Sequence, residues 1–267
     1  MADRYAVIGN PVAHSKSPWI HSEFARSTAQ DIEYIALEAP VDGFARTVED
    51  FRASGGKGAN VTLPFKEQAY RYCTDPSAAA RSAQAVNTLA FSEGRIHGEN
   101  TDGSGLLRDL TVNLGRTLGG RSVLLLGAGG AARGVLGPLV AAGPARLVVA
   151  NRSPDKAREL AARFERGVEA VAFDSLAGLS FDLVVNATSA GMRGEAPPIP
   201  PSIFGKGALA YDLVYGRDTP FLALARASHC DTSDGLGMLI EQAADSFHIW
   251  RGVRPDTRAL ITALRTR

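Results

Sequence analysis

The sequence predicts an α/β protein with two domains. From residue 5 onward, short apolar runs alternate with segments that suit helices, and from Gly119 this alternation becomes a regular strand–helix repeat. Such a repeat is typical of a parallel sheet with helices on both faces. A chain of 267 residues, of which 45% are hydrophobic, is long enough and apolar enough to form two modest cores.

In the first part of the chain, each predicted element is a short run bounded by turn residues. Apolar or alternating runs predict strands over residues 5–9, 32–39, 58–62 and 86–91. Helices are predicted over residues 17–28, 41–54 and 66–73, with a further helix reached through residues 100–110. Pro18 suits the first turn of the first helix.

From Gly119 the predicted strands become regularly spaced. They fall at residues 122–126, 146–150, 168–172, 182–186, 208–212 and 228–232. Residues 194–201 are interpreted as a loop between two strands of this sheet, and residues 236–251 as an amphipathic helix that packs back onto the first domain. We therefore assign residues 1–102 and 238–267 to the first domain, and residues 103–237 to the second.

A glycine-rich turn follows the apolar run at 122–126 and precedes Ala-rich sequence that suits a helix. Its residues are Gly127, Ala128, Gly129, Gly130 and Ala131. Glycine lets backbone amides and a helix N-terminus approach a pyrophosphate, so strand, turn and helix together indicate a dinucleotide site. The second domain is therefore predicted to be of the Rossmann type, with a doubly wound parallel sheet.

Polar and basic residues follow the next strand, where an NAD enzyme usually places an acid on the ribose 2′-hydroxyl. This chain has Asn151, Arg152 and Ser153 there, with Lys156 one turn on. A cation suits a 2′-phosphate, so the predicted cofactor is NADP rather than NAD. Alternatively, Arg152 is a solvated loop cation, which would remove the preference and leave the glycine turn intact.

Polar clusters also lie where strands of the first domain end, which is where α/β sheets place their sites. Ser15 and Ser17 offer two hydroxyls that suit a ligand carboxylate, although either one alone could be a helix N-cap. Lys66 follows a buried strand, and partial desolvation would suit its amine for acid–base work. Lys66 and Asp102 are therefore a candidate proton-transfer pair, with a surface lysine and a surface salt bridge as the alternatives.

Composition argues against several classes of partner. The net charge of +1, from 29 basic and 28 acidic residues, argues against nucleic acid or an anionic membrane surface. No apolar run approaches the roughly 18 residues of a membrane span, and the N-terminus does not resemble a signal peptide. Cys73 and Cys230 form no disulfide framework, and no cluster has metal-ligand spacing. We expect a cytoplasmic protein that acts on a small molecule without a metal, as a monomer or homodimer.

Together, these motifs resemble those of shikimate dehydrogenases, the NADP-dependent family of aromatic biosynthesis. The resemblance covers nearly the whole chain and lies in stretches that follow the family's order. They are residues 9–18, 60–66, 85–88, 100–103, 127–133, 151–156, 186–192, 212–215 and 234–242.

The resemblance implies a role for each matching position. Ser15 and Ser17 would bind the shikimate carboxylate, with Tyr215 close by, and Lys66 and Asp102 would be the catalytic pair. The residues implied at the ring hydroxyls are Thr62, Lys66, Asn87, Asp102 and Gln242. Those implied at the cofactor are Gly127, Ala128, Gly129, Gly130 and Ala131 for the pyrophosphate, Asn151, Arg152, Ser153 and Lys156 for the adenosine phosphate, and Leu213, Gly235 and Met238 for the nicotinamide.

The chain departs from the family pattern at two positions. Gln84 replaces a glycine shortly before Asn87, and Ala78 stands where an acidic residue often touches the cofactor. Neither change removes a member of the catalytic pair. The implied reaction is the reversible, NADPH-dependent reduction of 3-dehydroshikimate to shikimate. A quinate/shikimate dehydrogenase with relaxed cofactor use and a non-catalytic regulator that responds to NADP or shikimate are the alternatives.

Overall fold

The structure is a computed structural model that describes residues 2–164 and 167–265. Within this part, the chain divides into two compact units, with boundaries between Gly105 and Leu106 and between Met238 and Leu239. Each unit contains a six-stranded sheet and several helices. The predicted α/β class is therefore confirmed.

The first unit is built on a mixed sheet. Its strands are β1 (Asp3–Gly9), β2 (Ile32–Glu38), β3 (Gly56–Val61), β4 (Asp75–Pro76), β5 (Thr88–Ser92) and β6 (Arg95–Glu99). They lie in the order β2-β1-β3-β5-β6-β4, in which β1 is parallel to β2 and β3, and β5 is antiparallel to β3 and β6. Because β1 and β3 are parallel neighbours, the loops after Gly9 and Val61 leave the same edge of the sheet.

Helices alternate with these strands. They are α1 (Ser17–Ser27), α2 (Phe44–Ala53), α3 (Lys66–Tyr72), α4 (Ala78–Ala83) and α5 (Asp102–Arg108). Phe65, just before α3, is fully buried and stacks on Phe44 of α2 with ring centroids 5.2 Å apart. Both rings pack in one apolar cluster with Ile8 and Val61 of the sheet, so the start of α3 is fixed against the ends of β1 and β3.

The second unit is built on a parallel sheet. Its strands are β7 (Ser122–Leu126), β8 (Arg146–Asn151), β9 (Val168–Ala172), β10 (Phe181–Asn186), β11 (Phe204–Asp212) and β12 (Asp231–Ser233). Its helices are α6 (Gly130–Ala141), α7 (Pro154–Ala161) and α8 (Pro220–Ala227). Val123 and Leu125 face one buried cluster while Leu124 and Leu126 face another, so β7 is covered on both faces, as its continuous apolar run predicts.

The strand order of this sheet reverses once. The order is β12-β11-β10-β7-β8-β9, and every pairing is parallel. The chain builds outward from β7 to β9 and then returns to β10 on the other side of β7. The carboxyl ends of β7 and β10 therefore form the switch point at which doubly wound sheets bind their ligands. The predicted Rossmann type is confirmed.

Two further helices follow, α9 (Leu236–Arg251) and α10 (Arg258–Arg265), and from Leu239 onward they belong to the first unit. Trp250 of α9 stacks on Tyr5 of β1 with ring centroids 4.6 Å apart. Its indole N–H donates to the carbonyl of Leu89 in β5 at 3.0 Å. None of the helices in the described ranges combines the length and the apolar character that a membrane crossing requires.

Candidate active site

The loops after β1 and β3 lie against each other at the carboxyl edge of the first sheet. A Cβ atom on Gly9 would lie 2.4 Å from Cγ2 of Thr62, so only glycine allows this approach. The amide of Asn10 donates to the carbonyl of Leu63 at 2.9 Å. These contacts bring Thr62 to the start of the loop between β1 and α1.

Ser15 and Ser17 lie at the start of α1. Ser17 is the first residue of the helix and is buried, whereas Ser15 is half-buried. Oγ of Ser15 accepts the N–H of Ser17 at 3.2 Å. The N-cap of α1 is Lys16, which has no side-chain capping bond, so neither serine is the N-cap that the sequence left open. A serine hydroxyl also carries a hydrogen, so Ser15 can still donate to a ligand while it accepts from the helix.

Lys66 and Asp102 form a close ion pair. Lys66 is the first residue of α3 and Asp102 the first residue of α5, and Nζ of Lys66 lies 2.6 Å from Oδ2 of Asp102. Their side chains are only 18% and 7% exposed, so this is not the solvated surface salt bridge that the sequence left open. The amide of Asp102 donates to Oδ1 of Asn100 at 3.1 Å, which fixes the backbone from which the carboxylate projects.

Asn87 connects this pair to the rest of the site. Its Nδ2 group lies 3.0 Å from Oδ1 of Asp102, 2.9 Å from the hydroxyl of Thr101 and 3.2 Å from Oε1 of Gln242. Its Oδ1 atom accepts the amide of Thr101 at 2.9 Å. Lys66, Asp102, Asn87 and Gln242 thus meet in one hydrogen-bonded group of polar side chains.

A second group of polar side chains underlies Asn87 and was not assigned from the sequence. Nδ2 of Asn60 donates to Oγ of Ser246 at 2.9 Å and to the hydroxyl of Thr88 at 3.2 Å, and these two hydroxyls are 2.7 Å apart. All three residues are buried. Ser246 follows Gln242 by one helical turn and shares its face of α9, which is the signal that could have predicted it.

His21 of α1 is fully buried near this group. Its ring stacks on Tyr34 with centroids 4.2 Å apart, and the hydroxyl of Tyr34 donates to Oδ1 of Asn60 at 2.7 Å. Burial lowers the pKa of His21 to about 3, so the imidazole is neutral near pH 7. In the part of the chain that the structure describes, neither ring nitrogen has a partner with good hydrogen-bond geometry, and the nearby Asn60 side chain only partly opposes the effect of burial on the pKa. Across residues 2–164 and 167–265, no group of three or more His, Cys, Asp or Glu side chains is arranged to hold a metal ion.

The predicted glycine turn lies at the switch point of the second sheet. Gly127 follows β7 with φ +107°, and a Cβ atom there would lie 3.1 Å from the carbonyl oxygen of Ala187, which follows β10. Gly129 is the N-cap of α6 and Gly130 is its first residue. Within the described ranges, no atom outside the adjacent backbone lies within 4 Å of a Cβ built on either glycine. The first backbone N–H groups of a helix have no hydrogen-bond partner within the helix. The open space at the start of α6 therefore lets an anion approach these N–H groups.

The predicted basic tip lies at the end of β8. Nδ2 of Asn151 donates to the carbonyl of Ser153 at 3.0 Å, which closes the turn into α7. Arg152 and Lys156 are exposed, and neither side chain forms an ion pair or hydrogen bond with the part of the chain that the structure describes. Two cations are therefore available to a phosphate beside the start of a helix.

Leu213, Gly235 and Met238 share one neighbourhood in the second unit. A Cβ atom on Gly235 would lie 2.4 Å from the carbonyl oxygen of Leu213, and the amide of Gly235 donates to the carbonyl of Val214 at 3.2 Å. Met238 is buried, and its amide donates to the hydroxyl of Tyr211 at 3.2 Å. Leu213 packs against the apolar cluster that contains Met238.

Tyr215 belongs to the second unit, whereas the other predicted substrate-binding residues belong to the first. Burial raises the pKa of Tyr215, so its phenol is protonated at neutral pH. The turn that carries it is held by Asp212, whose carboxylate accepts the hydroxyl of Thr219 at 2.6 Å and the amide of Val214 at 3.1 Å. Asp212 is fully buried, and burial raises its pKa.

The two departures from the family pattern lie at opposite ends of α4. Ala78 is its first residue, and Gln84 follows its last turn with φ +50° and ψ +37°. This left-handed conformation is one that glycine adopts without strain, which explains why a glycine suits this position. Gln84 is exposed, so its side chain extends into solvent without disturbing Asn87.

Comparison with known proteins matches these features to one family. A model of the shikimate dehydrogenase substrate binding domain matches residues 7–89, one of shikimate / quinate 5-dehydrogenase matches residues 110–193, and one of the shikimate 5′-dehydrogenase C-terminal domain matches residues 235–265. A shikimate dehydrogenase (NADP(+)) of Aromatoleum aromaticum is 57% identical, with 98% of this chain and 97% of the relative covered. The chain belongs to the shikimate dehydrogenase family.

Other shikimate dehydrogenases support this membership. One of Methylobacillus flagellatus, also named as NADP(+)-dependent, is 55% identical, with 98% of this chain and 99% of the relative covered. The shikimate 5-dehydrogenase of Thermus thermophilus, solved in complex with NADP(H) and shikimate, superimposes with a TM-score of 0.89 at 36% identity over 99% of each chain. The matched substrate-binding segment includes Ser15, Lys66 and Asn87, whereas Asp102 lies between the first two matched segments.

Proposed function

We propose that this protein catalyses the reversible, NADPH-dependent reduction of 3-dehydroshikimate to shikimate. The observation that carries the proposal is the largely buried Lys66–Asp102 pair, held by Asn87 beside Gln242. When the two groups lie side by side, the ammonium group can donate a proton to an oxygen atom of a ring, and the carboxylate can accept a hydrogen bond from a hydroxyl group on the same ring. Family membership and the names of the relatives support the choice of shikimate as the substrate.

Substrate recognition is assigned to the edge of the first sheet. The hydroxyls of Ser15 and Ser17, at the start of α1, bind the substrate carboxylate, which the N-terminus of a helix also favours. The ring hydroxyls are bound by Thr62, Lys66, Asn87, Asp102 and Gln242. Lys66, Asn87, Asp102 and Gln242 are already joined by hydrogen bonds. The role of Tyr215, which belongs to the second unit, stays a prediction from the family resemblance.

Lys66 is the proton donor of the proposed reaction. Negative charge grows on the ketone oxygen as its carbon accepts a hydride, and the ammonium group of Lys66 stabilises that charge and delivers a proton to the oxygen. Asp102 holds Nζ of Lys66 and accepts a hydrogen bond from a neighbouring ring hydroxyl. In the direction of oxidation, the neutral amine takes the hydroxyl proton back.

The second unit has the groups that NADP requires. The positive φ of Gly127 and the open space at Gly129 and Gly130 fit a pyrophosphate at the start of α6. Arg152 and Lys156 fit the 2′-phosphate, with Asn151 and Ser153 shaping the turn, and Leu213, Gly235 and Met238 line the nicotinamide region. Bound NADPH supplies the hydride. Cys73 and Cys230 are free thiols, which suits a reducing compartment and supports a cytoplasmic location.

The proposal is tested by following reduced nicotinamide absorbance with purified protein, shikimate or quinate, and NADP or NAD. Rapid reduction of NADP with shikimate, and little with NAD or quinate, is the expected result. Equal use of both cofactors or turnover of quinate would instead indicate the relaxed quinate/shikimate dehydrogenase. Shikimate binding without any turnover would overturn the catalytic assignment and favour a regulator.

A further inference from the structure

We propose that Tyr211 and Asp109 are positioning residues that fix the start of α9 and, through it, the nicotinamide end of the cofactor site. The inference rests on the proposed function, because that function places Gly235 and Met238 at the nicotinamide. Tyr211 and Asp109 are both fully buried in the second unit.

The hydroxyl of Tyr211 joins two parts of that unit. Tyr211 lies on β11, and its hydroxyl donates to Oδ2 of Asp109 at 2.7 Å while it accepts the amide of Met238 at 3.2 Å. Met238 is in the first turn of α9, where amides have no carbonyl partner within the helix. A side chain from a neighbouring strand therefore caps α9 at the residue predicted to line the nicotinamide.

Electrostatics fixes the direction of both hydrogen bonds. Burial, and then the negative charge of Asp109, raise the pKa of Tyr211 well above its ordinary value. The phenol therefore keeps its proton, which it donates to the carboxylate, and only its lone pairs are available to the amide of Met238. A carboxylate close to the N-terminus of α9 is also favoured by the helix dipole.

The carboxylate of Asp109 is itself held by a local irregularity. Asp109 begins a π-helical turn, Asp109–Asn113, in which Nδ2 of Asn113 donates to Oδ1 of Asp109 at 2.9 Å. The amide of Leu114 donates to the carbonyl of Asp109 at 2.9 Å. Turns of this kind are rare and occur often at functional sites.

The backbone of residues 235–238 fits closely on this carboxylate. A Cβ atom on Gly237 would lie 2.0 Å from Oδ1 of Asp109, and one on Gly235 would lie 2.4 Å from the carbonyl oxygen of Leu213. Glycine at both positions lets the chain lie directly on fixed oxygen atoms. The three contacts, at Gly235, Gly237 and Met238, hold the same short segment from different sides.

We therefore expect the nicotinamide end and the adenosine end of the cofactor site to respond differently to a substitution at Tyr211. Removing the hydroxyl of Tyr211 deprives the amide of Met238 of its cap and Asp109 of a donor, which loosens residues 235–238. Gly127 keeps its close approach to Ala187, and Arg152 stays exposed to solvent. Binding of the nicotinamide end should therefore weaken while binding of the adenosine end stays the same.

Two probes distinguish these ends in titrations of Tyr211→Phe. NADPH reports on the whole site, and adenosine 2′,5′-bisphosphate reports on the adenosine end because it has no nicotinamide. We expect the dissociation constant of NADPH to rise by about threefold to tenfold, the usual effect of one hydrogen bond, and that of adenosine 2′,5′-bisphosphate to stay unchanged. Asp109→Asn, which keeps the shape and removes the charge, should give the same pattern.

Phe181→Leu is the matched control. Phe181 is another fully buried aromatic residue of this unit, but it begins β10 at the opposite edge of the sheet. Both dissociation constants should match those of the unaltered protein. Wild-type affinity for NADPH in Tyr211→Phe, or an equal loss for both probes, would overturn the inference, as would a selective loss in Phe181→Leu. These titrations contain no substrate, so they test the positioning role separately from catalysis. If the unaltered protein failed to oxidise shikimate, that result would count against the proposed function alone.

Discussion

Replacing Lys66 by methionine tests the centre of the proposed mechanism. Methionine keeps much of the side-chain length and removes the ammonium group. The ion pair with Asp102 at 2.6 Å is lost, while Asn87 still donates to Asp102 at 3.0 Å. We expect turnover to fall by about 10²–10⁴, the usual cost of losing an acid–base group, and the dissociation constant of shikimate to change little.

The magnitudes follow from the burial of the pair. The loss of turnover corresponds to about 2.7–5.5 kcal/mol of transition-state stabilisation. Exposures of 18% and 7% place the pair between a surface ion pair and a fully buried one. Removing one partner costs about 0–1 kcal/mol at the surface and about 3–5 kcal/mol when buried, so we expect the free energy of unfolding to fall by about 1–3 kcal/mol.

Three measurements on Lys66→Met check this reasoning. They are initial rates of NADP reduction at saturating shikimate, calorimetric titration with shikimate, and unfolding in urea. Lys57→Met is the control, because Lys57 is an exposed lysine of β3 and its loss should leave turnover unchanged. A Lys66→Met protein that is folded and retains nearly full turnover would refute the assignment of Lys66 as the proton donor.

Three further outcomes are expected. Arg152→Ser should lower the ratio of kcat/KM with NADP to kcat/KM with NAD by about tenfold to a hundredfold, because a hydrogen bond to a charged phosphate is lost. An unchanged ratio would show that Arg152 is a solvated loop cation. Gly127→Ala should lower the free energy of unfolding in urea by about 1–3 kcal/mol, because φ is +107° and a Cβ would lie 3.1 Å from the carbonyl oxygen of Ala187. Gly129→Ala, with φ −85° and open space around its Cβ, is the matched control for stability, and an equal loss there would contradict the argument. His21 takes up a proton near pH 6.5 when unfolded and only at about 3 when folded, so its contribution to stability is complete above pH 6.5 and is lost as the pH falls below that value. Between near pH 7 and near pH 5, this contribution to the free energy of unfolding falls by about 2 kcal/mol. His21→Phe should not show this fall when its free energy of unfolding is measured at the two pH values. The same pH dependence in both proteins would contradict the assignment to His21.

Long, strongly patterned elements were predictable from the sequence. The strands at 122–126 and 168–172 and the helix at 236–251 match the structure at both ends. The strand at 122–126 is an apolar run after Ser122, and the helix at 236–251 has a clear helical spacing, both of which local sequence specifies. The strand at 168–172 contains Glu169 and was predicted from its place in the regular strand–helix repeat. The glycine turn was predictable for a related reason, because it lies directly after the strand at 122–126. The pairing of Lys66 with Asp102 was only a candidate from the sequence, since the strand that leads to Asp102 was not predicted.

Shorter elements depended on backbone details that the pattern does not contain. The strand predicted near residue 228 begins only at Asp231, because Ser228 ends α8 and His229 takes a left-handed φ of +59°. Helix α4 was missed although Ser77 caps it by accepting the amide of Ala80, since six residues give little periodicity. β4, β6, α10 and the π-helical turn were also missed.

The supporting contacts of the site were the least predictable part. Asn60 meets Ser246, and Tyr211 meets Asp109, across large separations in sequence. Each partner alone is an ordinary buried polar residue or a small residue on a helix. Only the folded chain specifies which hydroxyl reaches which acceptor, because these pairings depend on sheet order and on the return of α9.

The return of α9 to the first unit bears on how the chain is synthesised. Tyr5 and Leu89 leave the ribosome long before Trp250, which covers them, and Asn87 leaves long before Gln242. Domains fold as units, and usually the N-terminal one is first. Here the continuous second unit has all its residues while the first still lacks two helices. The group of polar side chains around Asn87 is therefore complete only after Gln242 has been synthesised, and a nascent chain that stops before Leu239 has a complete second unit and an unfinished first one.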